Sequence, residues 1–126
     1  MSVLIDTSVW IDYFKGGKNS EKLDYLIDNN LILVNDLILT ELIPLLKIKR
    51  QNHLIHLLEN IKKLPLKLNW QELIEFQFKC LKKGVNGIGI PDLIIVQNAL
   101  QNDCEIYTLD KHFRLIQKVL KIRLYT

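Results

Sequence analysis

Apolar residues recur along this chain in two alternating rhythms, short unbroken runs and longer helical repeats. Val3-Leu4-Ile5 and Leu31-Ile32-Leu33-Val34 are too short for helices and rich in β-branched residues, which suits strands buried on both faces. The first run stops at Asp6-Thr7-Ser8 and gives way to Val9, Trp10, Ile11, Tyr13 and Phe14, an amphipathic helix for which Thr7 or Ser8 is a good N-cap. A loop through Gly16-Gly17 follows, and Ser20 heads a second helix carrying Leu23, Leu26 and Ile27 as far as Asn29-Asn30. The second run repeats the opening pattern, with Asn35-Asp36 capping a helix from about Leu37 past Lys47. That helix is apolar nearly all round, so it should be largely buried. Glu41 within it then needs a partner, since a buried unpaired carboxylate is costly. Pro44 should kink it by removing a backbone bond.

The rest of the chain keeps the alternation. Gln51 to Lys63 has helical spacing through Leu54, Ile55, Leu57, Leu58 and Ile61, and Pro65 to Leu68 suits a short edge strand. Trp70 to Lys83 is another helix. The glycine-rich stretch from Gly84 to Pro91 lacks the GKS or GKT end of a phosphate loop and the spacing of a dinucleotide fingerprint. It reads as a flexible approach to a helix that Pro91 opens and Asn102-Asp103 closes. Glu105 to Thr108 is a strand, Lys111-His112-Phe113 heads a short helix, and Leu120 to Tyr125 alternates as a final edge strand. Strands alternating with helices predict an α/β fold, a single domain over residues 1–126, with a central, mostly parallel sheet of about five strands flanked by helices.

Composition narrows the class without naming a chemistry. With 126 residues the chain is long enough for one real core, and its 48% hydrophobic and 25% charged content is ordinary for a globular domain. A net charge of +3, mostly scattered Lys, permits contact with nucleic acid but does not by itself argue for it. Cys80 and Cys104 form no CxxC pattern and read as reduced thiols. No apolar run approaches the ~18 residues of a membrane helix and no leader is visible, so a cytoplasmic location is expected. His53 and His56, three apart on a helix surface with no Glu between them, make a poor metal motif.

The acids are more informative. Asp6 ends the first strand, Glu41 lies early in the helix after the second, and Asp110 follows the strand near residue 107. In a parallel sheet these points share one edge, where open α/β folds place their ligands. Asp92, opening its helix, can lie across the cleft from Asp6; the competing explanation is simple helix-dipole stabilisation. Carboxylates brought within ~4 Å repel by ~4 kcal/mol per pair at an effective dielectric near 20. Such a cluster calls for protonation or a bound cation, and an all-oxygen donor set favours Mg²⁺ or Mn²⁺ over zinc. A divalent ion so held can activate water and stabilise charge on a phosphodiester.

Four segments in order, Ile5 to Asp12, Asn35 to Leu42, Ile90 to Ile95 and Tyr107 to Phe113, resemble PIN-domain proteins, especially the VapC-type toxins of prokaryotic toxin–antitoxin pairs. The resemblance covers essentially the whole chain. It implies a PIN-like three-layer fold and an Mg²⁺-dependent endoribonuclease, usually a homodimer, that acts on RNA and is restrained by a separate antitoxin protein. It implies that Asp6 and Asp92 are the principal metal ligands. Glu41 would complete the cluster or position the attacking water, Asp110 would be the fourth acid, and Thr108 would hydrogen-bond a carboxylate. The chain departs from the family's pattern at His112, where many relatives carry a second acid, and at Ile94-Ile95, where small residues are common. Lys111, Arg114, Lys118 and Lys121 lie where they can meet RNA phosphates, though an ordinary solvated basic face accounts for them more readily.

Two other readings make different demands. A phosphoacceptor receiver domain has the same size and fold class, but it expects an acidic pair after the first strand and a late Lys at the site. Here Asp6 stands alone before Thr7-Ser8. A non-catalytic PIN scaffold that binds RNA or a partner protein would tolerate Asp6→Asn or Asp92→Asn, whereas a nuclease would not.

Overall fold

The computed structural model describes residues 2–126. Four strands form one sheet in the order β3-β2-β1-β4: β1 is Val3–Ile5, β2 Ile32–Val34, β3 Lys62–Lys63 and β4 Glu105–Tyr107. All the pairings are parallel. Seven helices flank it: α1 Thr7–Phe14, α2 Ser20–Asp28, α3 Asp36–Ile48, α4 Asn52–Glu59, α5 Trp70–Lys82, α6 Ile90–Gln101 and α7 His112–Gln117. Val3, Leu4 and Ile5 are wholly buried, as a central strand covered on both faces requires. Each contributes ~1.5–3 kcal/mol of apolar burial.

Register decides what meets at the carboxyl edge. Val3 pairs with Ile32 and Leu4 with Leu33 on one side; Leu4 pairs with Ile106 and Ile5 with Tyr107 on the other. The Asp6 amide then donates to the Tyr107 carbonyl at 2.9 Å, so Asp6 emerges beside Thr108. On the other side Asn35, fully buried, caps α3 by accepting from the Ile38 amide at 2.9 Å. Its own side-chain amide donates to Asn98 Oδ1 on α6 at 2.9 Å. The opening of α3 is thereby tied to the helix that carries Asp92.

Several sequence expectations are corrected. The sheet has four strands rather than five. The edge strand is Lys62–Lys63, not Pro65 to Leu68, and the helix before it stops at Glu59. Pairing with β2 ends where Leu64 donates to Val34, and Pro65 has no amide to extend it. The following backbone is held by α6 side chains instead, Asn98 donating to the Pro65 carbonyl and Gln101 to that of Lys67. Residues 120–125 make only an isolated parallel bridge, Ile106 with Leu124, because the chain turns tightly where Ile122 donates to Leu120. Helix α3 is not largely buried: Ile38, Leu42 and Leu46 face the core, while Leu45 and Ile48 are exposed and Glu41 lies in solvent. Pro44 sits inside α3, which runs on past it to Ile48.

The Asn35–Asn98 link generates a stability prediction. Asn98→Ala leaves the buried Asn35 amide without its acceptor and should cost about 2 kcal/mol. Gln101→Ala, which removes one exposed bond, should cost under about 1 kcal/mol. Urea unfolding of both variants checks the ranking, and equal losses would refute the role given to the link.

Candidate functional site

Asp6 is the N-cap residue of α1, with extended backbone, and its carbonyl accepts the first amides of the helix. The hydroxyls expected to cap α1 are engaged elsewhere. Ser8 Oγ and Thr108 Oγ1 both donate to Asp6 Oδ2, each at 2.8 Å. The lone pairs of the same two hydroxyls accept from the turn after β4, Leu109 N to Ser8 Oγ and Asp110 N to Thr108 Oγ1, each at 3.0 Å. Donor and acceptor roles therefore run one way through the network, from the turn backbone into the hydroxyls and from the hydroxyls into the carboxylate. Asp6 is 6% exposed, and a buried carboxylate requires such partners. Thr7 Oγ1 donates instead to Glu41 Oε1 at 2.8 Å, holding that exposed acid beside the start of α1.

The turn that positions Thr108 also positions Asp110. Its Oδ1 accepts from the His112 amide at 2.9 Å and lies 3.0 Å from His112 Nδ1. Asp92 reaches the same place from the first turn of α6, which follows Gly89 as N-cap with Pro91 at its opening. Ligand atoms of Asp92, Asp110 and His112 all lie within 4.8 Å of one another, a group that can hold a metal ion. Burial, foremost, and then the nearby charges of Asp110 and Asp6 push the Asp92 carboxyl above the usual carboxylate range; a backbone hydrogen bond from Gly89 and the His112 ring pull it back. A cation here would relieve the charge that raises Asp92. Two carboxylates with one imidazole suit a divalent cation, and among the described residues no cysteine enters the group.

Of the residues singled out on sequence, Asp92, Asp110 and His112 come together, with Asp6 close enough to act on Asp92 and Thr108 locked onto Asp6. Asp6, expected as a principal ligand, and Glu41, held by Thr7, both lie outside the close group. Ser8 was missed as a site residue, and so was Gly87. A Cβ at Gly87, where φ is +77°, would stand 4.0 Å from His112 Nε2, so the glycine-rich approach borders the site. Ser8 was legible in principle, since it lies two residues beyond the strand-end acid. Gly87 was not, because nothing local says what faces it. His53 and His56 join no such cluster among the described residues. Among the described residues no helix is long and apolar enough to cross a membrane.

The family model for the PIN domain matches residues 3–119. Three solved structures with similar folds are the Rickettsia felis VapBC2 complex bound to a DNA fragment from its promoter, the DNA-bound Salmonella typhimurium VapBC complex and Neisseria gonorrhoeae FitAcB. The first is 20% identical with a TM-score of 0.78, covering 99% of this chain and 98% of that one. The second is 14% identical with a TM-score of 0.77, covering 99% and 97%. The third is 17% identical with a TM-score of 0.73, covering 98% and 96%. Among curated proteins no sequence matches this chain.

The raised Asp92 carboxyl has a consequence for stability. A carboxyl raised by folding contributes stability when protonated and loses it as pH rises through its folded value, so at neutral pH the charged Asp92 opposes folding. Asp92→Asn should therefore raise the melting temperature of the metal-free protein. Mg²⁺ or Mn²⁺ should stabilise the wild type, by ~1.4 kcal/mol at ten times the dissociation constant, and leave the variant unmoved. Thermal melts with and without the ion check this, and an equal metal response in both proteins would exclude Asp92 from the ion's site.

Proposed function

The chain belongs to the PIN-domain family, and from that premise we propose that it is an Mg²⁺-dependent endoribonuclease, the toxin of a toxin–antitoxin pair. The observation that carries this reading is the convergence of Asp92, Asp110 and His112 beside buried Asp6. In this reading Asp6 and Asp92 hold the ion, with Mn²⁺ able to replace Mg²⁺, and Asp110 supplies the further acid. When bound, the ion supplies water activation and charge stabilisation at a phosphodiester. Thr108 and Ser8 hold and aim Asp6 by donating to its Oδ2. Glu41, solvent-exposed and steadied by Thr7, is assigned in this reading to orienting the attacking water. His112 holds one oxygen of Asp110 from the side where many relatives have an acid.

The partners follow from the same premise. The similar structures include VapBC complexes, and we assign this chain a cognate antitoxin of its own. We also propose a homodimer, with α5 as the shared face. Trp70, Ile74, Phe78 and Leu81 leave an exposed apolar stripe along it, unusual on a solvated helix. Glu72 and Glu75 occupy its first half and Lys79 and Lys82 its second, so two antiparallel copies would set acid against base.

Induction of the wild type and of Asp92→Asn in a bacterial host, with sequencing of new RNA 5′ ends, tests the chemistry and finds the target together. Recurrent new ends are expected from the wild type. In the variant they should fall by more than ~100-fold, since even changes behind the ligands of a metal site cost 10–100-fold. Absence of new ends with both proteins folded and expressed would reduce the chain to a non-catalytic scaffold that binds RNA or a partner protein.

A further inference from the structure

Beside the acid group, on the far side of Asp110, the turn after β4 and helix α7 face the chain's last residues across a groove of about 980 Å³. Thr108 and Asp110 form one end of it, so the groove opens directly from the carboxylate network. Leu109, Leu115, Leu124 and Tyr125 supply apolar and aromatic lining. Lys111, Arg114 and Lys118 stand along one side at spacings of three and four. Backbone angles at Lys111 and Lys118 continue the helical geometry of α7, so the three cations share a helix face and span ~10 Å.

What sets these cations apart is their place on the groove wall, next to the acids. Lys63 is paired with Asp36 and Arg123 with Asp103, and Lys22 donates to the Thr126 carbonyl. Among the described residues, Lys111, Arg114 and Lys118 make no salt bridge. Lys121, grouped with them on sequence, does not line the groove. Three unpaired cations along a trough of apolar and aromatic groups match a single strand of nucleic acid, which offers phosphates on one side and base faces on the other. We infer that this groove holds the RNA strand next to the scissile phosphate, with Arg114 and Lys118 on phosphates and a base against Tyr125. The inference rests on the ribonuclease reading for what happens at the acids, but the binding itself needs no cleavage.

The test separates the two. A fluorescein-labelled, mixed-sequence 12-nucleotide RNA is titrated with the full chain in EDTA, where cleavage is suppressed, over a range of salt. Each lost phosphate contact lowers the slope of log affinity against log salt by ~0.7, or ~5-fold in affinity at 0.1 M. Arg114→Ala with Lys118→Ala should therefore weaken binding by ~25-fold and flatten the slope by ~1.4. Tyr125→Ala should weaken it without changing the slope. Lys47→Ala with Lys49→Ala, exposed at the end of α3, should leave both quantities as in the wild type. Both residues of the groove pair are exposed, so circular dichroism should match the wild type.

Unchanged RNA affinity in the groove variant overturns the inference, even where the wild type yields new RNA ends in cells. Lost affinity in that variant sustains it, even where no new ends are found and the ribonuclease reading fails. A groove variant that keeps its RNA affinity but no longer binds an acidic 12-residue peptide would give the groove to a protein partner and overturn the inference as well.

Discussion

Two hydroxyls on one carboxylate oxygen hold this molecule's polar edge together. Asp6 ends the central strand, where burial would penalise its charge, and the donations from Ser8 and Thr108 make that charge tolerable. Because each hydroxyl also accepts a backbone amide from the turn after β4, the arrangement fixes more than Asp6. It fixes the path of the chain through Leu109 and Asp110, and hence the position of Asp110 and the start of α7. The parallel register of β1 with β4 is the precondition, since pairing Ile5 with Tyr107 is what brings Asp6 alongside Thr108. A shift of one residue would turn Thr108 to the other face and leave the carboxylate unpartnered.

A second tie brings in the remaining acid. Asn35 ends β2 as Asp6 ends β1, and its buried amide is bonded to Asn98 in the middle of α6. Helix α6 is buried on most sides and cannot shift without exposing Leu93, Ile95 and Val96. Asp92 is thus carried toward Asp110 and Asp6 by packing that takes no account of its charge. The result is an acid group stable in shape and unfavourable in electrostatics, which is the relation between a rigid scaffold and a reactive site expected on general grounds.

Strand-end acids were legible from the sequence because they follow from local rules. An apolar run of three or four residues, an acid or amide, and then a helical repeat describe β1–α1 and β2–α3 correctly, and in a parallel sheet that pattern puts Asp6 and Asn35 on one edge. What the sequence could not supply was long-range pairing. Pro65 to Leu68 alternates as a strand should, yet the α6 amides Asn98 and Gln101 take up its carbonyls. Leu120 to Tyr125 also alternates, but a tight turn at Ile122 limits it to one bridge. Helix α3 was misread for a different reason: Leu45 and Ile48 are apolar without being core, and composition alone does not distinguish an interior face from an exposed one. Glu41 escaped the burial penalty by the same error, since it sits in solvent with Thr7 as its donor.

His112 shows what an imidazole contributes beside such an acid. Its amide and its ring nitrogen both address Oδ1 of Asp110, so the histidine acts first as the hydrogen-bonding wall of that acid. An additional carboxylate at this position would add negative charge to a group in which Asp110 and Asp6 already raise Asp92. An imidazole contributes a nitrogen donor without that repulsion. Its far nitrogen looks toward Gly87, where the backbone lies at positive φ and a Cβ would stand 4.0 Å away. The glycine-rich approach to α6 and the histidine after Asp110 therefore meet in space though they lie 25 positions apart in the sequence. A cation beside Asp92 and Asp110 would therefore meet less negative charge than in an all-carboxylate group.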